Sequence, residues 1–426
     1  MIKIFFFILL TFITVSCSFN ENSKIWNNKK NFPNNNQNIK KIYIDNKKIV
    51  NELNPFIKLN LSDSKIYNDN LKSSKYSGNL NEVASYKFSK FNNLKKTDYK
   101  PLILKDDIIF FDKKGSIFKY NYKKNIIWKK NYYSKYEKKI GPKLNFALKN
   151  NNLIVADNVA KIYILDITNG DLVWSINNTY PINSEIKVHK DKFFLIDYEN
   201  TLRCYYVKDG SDCWSLQTEN TFTISNSKNS LIIHNDLVIF NNSIGDITAV
   251  DTLTGLIEWQ LPTQDNKIIN RTYNFEISEL VKDKDFIYFS NNKNKFYSVN
   301  MKNGTIHWTN KINSTMSPIL IGDYIFTISN EGYLFTIQKN LGNIIRINDI
   351  YKIYDKKKKS KVKPIGFTVA DNNLFLTSND GKIMMIELMT GNIVKFQKIS
   401  KNVISKPFIH NENLFVIKNG SIIQYN

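Results

Sequence analysis

The sequence predicts an all-β fold: an eight-bladed β-propeller of four-stranded antiparallel blades, closed by an N-terminal strand that joins the last blade. Three observations carry this reading. The first is a hairpin that recurs seven times, clearest in KIYILDITNGDLVWSIN (161–177), where an apolar alternating strand, an Asp/Asn/Gly turn and a Trp-bearing strand follow one another. Period-two alternation closed by residues that tolerate positive φ is a strong local hairpin signal. The second is its period: the anchor positions Trp128, Trp174, Trp214, Trp259, Trp308, Arg346 and Lys395 lie 38 to 49 residues apart, the length of one four-stranded blade. The third is the C-terminus. Residues 407–426 supply only three strands, and a blade left one strand short exposes an unpaired edge. The missing strand is expected from Val83–Phe91 (VASYKFSKF), where Tyr86 and Phe88 alternate with Ser85, Lys87 and Ser89.

The remaining strands follow in order. Pro101–Gly115, Pro318–Gly332 and Pro407–Gly420 each read as a short apolar strand, an Asp/Asn/Gly turn and a second apolar strand before the hairpin. Proline suits the start of an innermost strand, where its missing N–H is harmless. Asn152–Asp157, Phe193–Asp197, Leu237–Asn241, Phe286–Ser290 and Leu374–Thr377 fill the second-strand slot of the other blades. The tryptophans Trp128, Trp174, Trp214, Trp259 and Trp308 are read as blade-docking residues: a flat ring near the end of an outer strand covers the gap to the next blade, and the turn glycine lets backbone approach it. Arg346 and Lys395 are not expected to bury in that way, which makes blades 6 and 7 the loosest part of the ring. Asp166 and Asp251 sit at matching turn entries and are assigned to turn formation.

Ahead of the ring, Lys3 precedes a twelve-residue apolar run, Ile4–Val15, followed by Ser16, Cys17 and Ser18. The run is too short to span a bilayer, which needs roughly 20 residues, and reads as a secretory signal. Thr14-Val15-Ser16-Cys17 resembles a bacterial lipobox, with Thr14 where that pattern has Leu. Residues 1–16 are accordingly expected to be a lipoprotein signal peptide and Cys17 the lipidation site, an ordinary cleaved signal being the alternative. Residues 17–80, rich in Asn and Lys, read as a lipidated flexible tether, and 81–426 as the propeller. Some 60 flexible residues span roughly 40–45 Å on average. Cys204 and Cys213 flank the Lys208-Asp209 turn. If that pair is central they face each other, as a disulfide in an exported compartment or as two buried thiols.

A formal net charge of +22 over 426 residues raises an anionic partner, but the Lys, Asn and Ile bias acts throughout and marks no single face. No nucleic-acid partner is expected. The densest run, Lys356–Lys363 (KKKKSKVK), reads as a solvated loop between repeats. His189, His234, His307 and His410 are isolated, without metal-ligand spacing. No G-x-S-x-G, phosphate loop, C-x-x-C-H or paired carboxylate cluster is present. The sequence therefore predicts no enzyme, no cofactor and no metal site.

The recurring G-x-x-x-W after an apolar strand resembles the PQQ-like repeat. With the lipobox-like start and the length, the chain resembles the family of B lipoproteins of the outer-membrane β-barrel assembly (BAM) machinery, over about Asn81 to Asn426. The resemblance implies a periplasmic scaffold, lipid-anchored in the outer membrane and a monomer within a hetero-complex. It would dock on the periplasmic domains of the central, BamA-like barrel-assembly protein and aid insertion of outer-membrane proteins. The family's docking loops follow the third and fourth Trp-bearing strands, and fall here on Leu216 and Gln217, and on Arg271, Asn274 and Glu276. Gln217 replaces an arginine and Asn274 an acid of the family pattern. Such a surface would hold its partner by strand addition and one apolar anchor. Two other readings stay open: a propeller that binds an anionic ligand or polymer at a basic central funnel, and a relative of the quinone-dependent dehydrogenases built from the same repeat.

Overall fold

A computed structural model describes residues 75–76, 78–88, 100–219, 228–264 and 275–426. The chain divides into two compact units, Met1–Lys48 and Ile49–Asn426, and all described residues lie in the second. They form eight four-stranded antiparallel sheets. Blades 1 to 7 span residues 102–130, 144–177, 187–217, 231–261, 281–310, 319–349 and 364–398, each with its strands in chain order. Blade 8 combines Phe408–His410, Asn413–Lys418 and Ser421–Tyr425 with Glu82–Lys87. No helix of the described residues is long and apolar enough to cross a membrane.

The layering follows from burial. Second strands such as Ile108–Phe111, Leu153–Asp157 and Phe193–Ile196 are buried along their length, because neighbouring blades cover both faces, as in any sheet packed on two sides. Fourth strands such as Leu172–Asn177 alternate exposed and half-buried residues from Val173 onward, since one of their faces meets water. In several blades a side chain closes the turn after the second strand. Asp112 accepts from the Lys114 and Ser116 backbone N–H groups at 2.8 and 2.9 Å, and Asp157 and Asn291 act alike. Asp166 and Asp251 likewise accept backbone N–H groups inside their hairpin turns, in keeping with a structural role.

Closure occurs where the chain ends meet. Glu82–Lys87 pairs antiparallel with Ser421–Tyr425, Tyr86 opposite Ile422. Asn81 and Asn426 exchange backbone hydrogen bonds of 3.0 and 2.9 Å just beyond the strand. Packing starts earlier than the strand, since Tyr76 and Leu80, each 1 % exposed, belong to the cluster that holds Phe375 and Tyr425.

All five anchor tryptophans reach across to the following blade. The indole Nε1–H of Trp128 donates to the Ile167 carbonyl at 3.1 Å, Trp174 to Val207 at 3.1 Å, Trp214 to Thr252 at 3.2 Å, Trp259 to Met301 at 2.8 Å and Trp308 to Lys339 at 2.9 Å. Gly304 shows why a glycine must lie under the ring: its φ is +71°, and an added Cβ would come within 2.5 Å of Trp259, inside contact distance and in a conformation that L residues avoid.

The expectation that blades 6 and 7 dock loosely fails at Arg346. The side chain is 1 % exposed. Its guanidinium donates to the Leu388 and Met389 carbonyls of blade 7 and to Thr336 Oγ1 at 3.1 Å. Leu388 holds the place that Ile167 and Met301 hold for their tryptophans: in all three, the backbone N–H bonds back to the turn before the second strand of the same blade. A planar, donor-rich group on an apolar stem thus replaces the indole. Burial lowers its pKa to about 10, so it is still charged at neutral pH. Lys395 is exposed, as expected, and donates to the Asn79 carbonyl.

Two local expectations need correction. Each Trp-type hairpin carries a β-bulge one residue before its anchor. Cys204 therefore pairs with Trp214, and Cys213 is the bulged residue. The extra residue still turns its side chain toward the neighbouring strand, and the cysteines form a disulfide with Cα atoms 5.2 Å apart. The lysine run is not a plain loop. Lys356–Lys359 forms one helical turn, capped by Asp355 accepting from the Lys358 N–H at 2.8 Å, and Val362 anchors it at 3 % exposure.

Candidate docking face

Antiparallel pairing fixes which loops share a face. The turns between second and third strands and the connectors from one blade to the next emerge together. In three blades an aromatic of the connector covers the turn glycine of the same blade, Tyr133 on Gly115, Phe275 on Gly245 and Tyr351 on Gly332, whereas in blade 7 the connector backbone at Ser400 and Asn402 lies over Gly381. The described residues of the sequence-assigned docking segments, Leu216, Gln217 and Glu276, lie toward this face, at the junctions of blades 3 and 4 and of blades 4 and 5.

Hydrogen bonds link the described starts of these two connectors through the neighbouring turns. Asn200, 1 % exposed and at φ +57°, donates to the Glu219 carbonyl at 2.9 Å and to Ser243 Oγ at 2.7 Å, and accepts from the Ser243 N–H at 3.0 Å. Two residues on, Thr263 donates to the Gly245 carbonyl at 2.7 Å, and Tyr297 donates to the Thr263 carbonyl at 3.1 Å. A continuous polar seam thus runs from blade 3 through blade 4 into blade 5. Short polar side chains on tight turns make this possible, because they bond backbone without needing space.

The sequence-assigned residues fall unevenly on this face. Leu216 and Gln217 belong to the outer strand Asp212–Gln217 rather than to the loop after it, opposite Leu202 and Thr201. Leu216 is half-buried on the cluster of Phe194, Phe240 and Val250, while Gln217 is exposed. Glu276 sits between buried Phe275 and Ile277; its backbone N–H donates to Asn292 Oδ1 at 3.2 Å and its carbonyl accepts from the Asn292 N–H at 3.0 Å. Arg271 and Asn274 lie outside the described residues.

The mouth of the central channel opens on the same face and holds a cluster that sequence reading missed. Lys100 Nζ bonds Glu185 at 2.5 Å and Glu279 at 2.6 Å. These residues precede or begin the innermost strands of blades 1, 3 and 5, which are not neighbours, so they can meet only across the channel. Lys187 lies 3.3 Å from Glu185, Lys406 4.0 Å from Glu279, and Lys228 bonds Asn145 at 2.7 Å. Water reaches these side chains, about a third exposed, yet protein encloses them. The funnel is therefore of mixed charge rather than uniformly basic, and Lys100 bridges it.

Burial opposes charge on both acids, but Lys100 and its neighbouring ammonium groups prevail, holding Glu185 well below the usual carboxylate range and Glu279 at about 2. A carboxylate whose folded pKa is depressed stabilises the fold above its unfolded value near 4.5, and that stability is lost as pH falls through the folded value. Thermal stability should thus drop between pH about 4.5 and about 2. The drop should be smaller in Lys100→Met, which removes the central ammonium and also starts from a lower melting temperature at pH 7. Melting by circular dichroism at pH 7 and pH 3 checks this, and equal drops in the two proteins would refute it. Among the described residues, no three His, Cys, Asp or Glu side chains group as a metal site would require.

The family described as outer membrane protein assembly factor BamB matches residues 96–348. Among solved structures, BamB from Moraxella catarrhalis superposes with a TM-score of 0.66 at 16 % identity, over 82 % of this chain and all of that one. A europium-containing methanol dehydrogenase superposes with a TM-score of 0.60 at 10 % identity, over 79 % of this chain and 84 % of its own. These likenesses at low identity speak for the fold alone. Uncharacterized protein RP232 of Rickettsia prowazekii (strain Madrid E) is 24 % identical over 147 residues, 33 % of this chain. The match spans only about a third of that relative's length, 35 %. With more than half of its length matched, from before the first complete blade through the sixth, the chain belongs to the BamB family of PQQ-repeat β-propellers.

Proposed function

We propose that the chain is a non-catalytic periplasmic scaffold lipoprotein of the BAM complex. In this reading residues 1–16 are removed as a signal peptide, acylated Cys17 anchors the protein to the outer membrane, and 17–80 tether the ring. The propeller docks on the periplasmic domains of a central BamA-like protein and supports insertion of β-barrel proteins. Family membership supports the reading. The single observation that supports the site is the seam from Glu219 through Asn200 and Ser243 toward Thr263, which ties the starts of two neighbouring connectors to the turns between them. A rigid scaffold presenting loops is the usual way for a fold without reactive side chains to recognise a partner.

Gln217 is the clean probe, because it is exposed whereas Leu216 is packed on its own blade. Gln217→Glu should reduce co-purification with the central barrel-assembly protein several-fold after mild crosslinking, at an unchanged melting temperature. Gln217→Arg should maintain or raise it. If neither change alters co-purification the site is wrong; if wild-type protein captures no barrel-assembly protein, the function is.

A further inference from the structure

We propose that a second sector of the connector face is a contact surface for an anionic lipid bilayer. Two connectors carry short helices there: α1, Lys135–Ile140, and α2, Lys356–Lys359. Around α1, Lys135, Tyr136, Lys139, Ile140 and Lys143 are all exposed, Tyr136 at 74 % and Ile140 at 51 %. Around α2, Lys352, Ile353, Lys356, Lys357 and Lys361 are exposed, Ile353 at 41 %. The nearby acids are engaged elsewhere. Glu137 caps α1 and bonds Lys161 at 2.8 Å, Asp355 caps α2, and Asp349 holds Lys359.

Both helices sit on one face, since each follows the aromatic that covers its blade's turn glycine, Tyr133 before α1 and Tyr351 before α2. They lie at the junctions of blades 1 and 2 and of blades 6 and 7, on either side of blade 8. Blade 8 is diametrically opposite blade 4, the centre of the proposed protein-docking sector, so the two surfaces do not compete. Lysine stems around an exposed Tyr or Ile are the chemistry of an interfacial anchor: ammonium groups pair with anionic headgroups while the apolar side chains enter the boundary region. A flat surface meets two separate projections at once, whereas one acidic peptide would need a continuous path between them. A bilayer is therefore favoured over a polypeptide. The inference needs neither an acylated Cys17 nor the protein partner.

The test uses the full chain carrying Cys17→Ala with vesicles of phosphatidylcholine, alone or mixed with phosphatidylglycerol. Any insertion of the apolar run Ile4–Val15 is common to both vesicle types and subtracts. Flotation should increase with phosphatidylglycerol and fall as salt rises. Lys135→Glu, Lys139→Glu, Lys356→Glu and Lys357→Glu combined should reduce this increment by about tenfold or more. The same reversal at Lys123, Lys124, Lys208 and Lys302, in hairpin turns of the opposite face, should leave it within about twofold. Melting temperatures show that both variants fold. The proposal is overturned if phosphatidylglycerol adds nothing, if the two variants lose equally, or if polyglutamate binds the connector sector while vesicles do not.

Discussion

Removing Ser421–Asn426 is expected to unfold the ring. The deleted strand lies between Asn413–Lys418 and Glu82–Lys87, so its loss strips hydrogen-bond partners from both neighbours at once. It also removes Ile422, Ile423 and Tyr425, exposed by only 1, 3 and 2 %. At about 1.5–3 kcal/mol for each buried apolar side chain, the burial term alone is roughly 5–9 kcal/mol. Whole domains are stable by about 5–15 kcal/mol. The truncated chain should lose its cooperative melt and partition into the insoluble fraction, and a peptide spanning residues 421–426 added during refolding should restore part of the signal. A truncated protein that melts cooperatively at the wild-type temperature would show that the latch does not hold the ring.

Arg346→Ala should cost about 3–5 kcal/mol. The buried Leu388 carbonyl and the part-buried Met389 carbonyl would lose their donor, at about 1–3 kcal/mol for a buried group left unsatisfied, and the vacated volume adds a cavity cost. Arg346→Trp should recover most of this loss, because an indole N–H at this position reaches the equivalent carbonyl in five other blades. Gly391 already supplies a left-handed turn there, at φ +71°, although it now packs on Asn348. Urea denaturation of the two variants measures the effect. An alanine variant as stable as wild type would mean that the guanidinium carries no docking load.

These outcomes bear on how far the sequence reaches. Blade count, closure and the docking role of Trp128, Trp174, Trp214, Trp259 and Trp308 are legible because each depends on a local signal repeated along the chain: alternation, a turn glycine, a ring at fixed spacing. Arg346 was misjudged because residue type alone suggests solvent. Only the facing blade shows the two carbonyls, Leu388 and Met389, to which its guanidinium donates. The bulge that sets Cys204 against Trp214 is likewise silent in a pattern of period two, since one extra residue leaves the apolar spacing on either side intact. Helix α1 did leave a signal, the capping box Ser134-x-x-Glu137, which a search centred on strands passes over.

By itself, then, the sequence determined the repeat, the number of sheets and the means by which the ring is shut. It could do so because local periodicity and the avoidance of an open edge act on residues near one another or at the chain ends. The tertiary structure alone decided which polar groups meet. Lys100 finds Glu185 and Glu279 across 85 and 179 residues of chain, and Asn200 bonds Ser243 of the next blade across 43. No short-range pattern encodes such partners. Electrostatics and hydrogen bonding act through space, and the distances are set only once eight blades have closed into a circle.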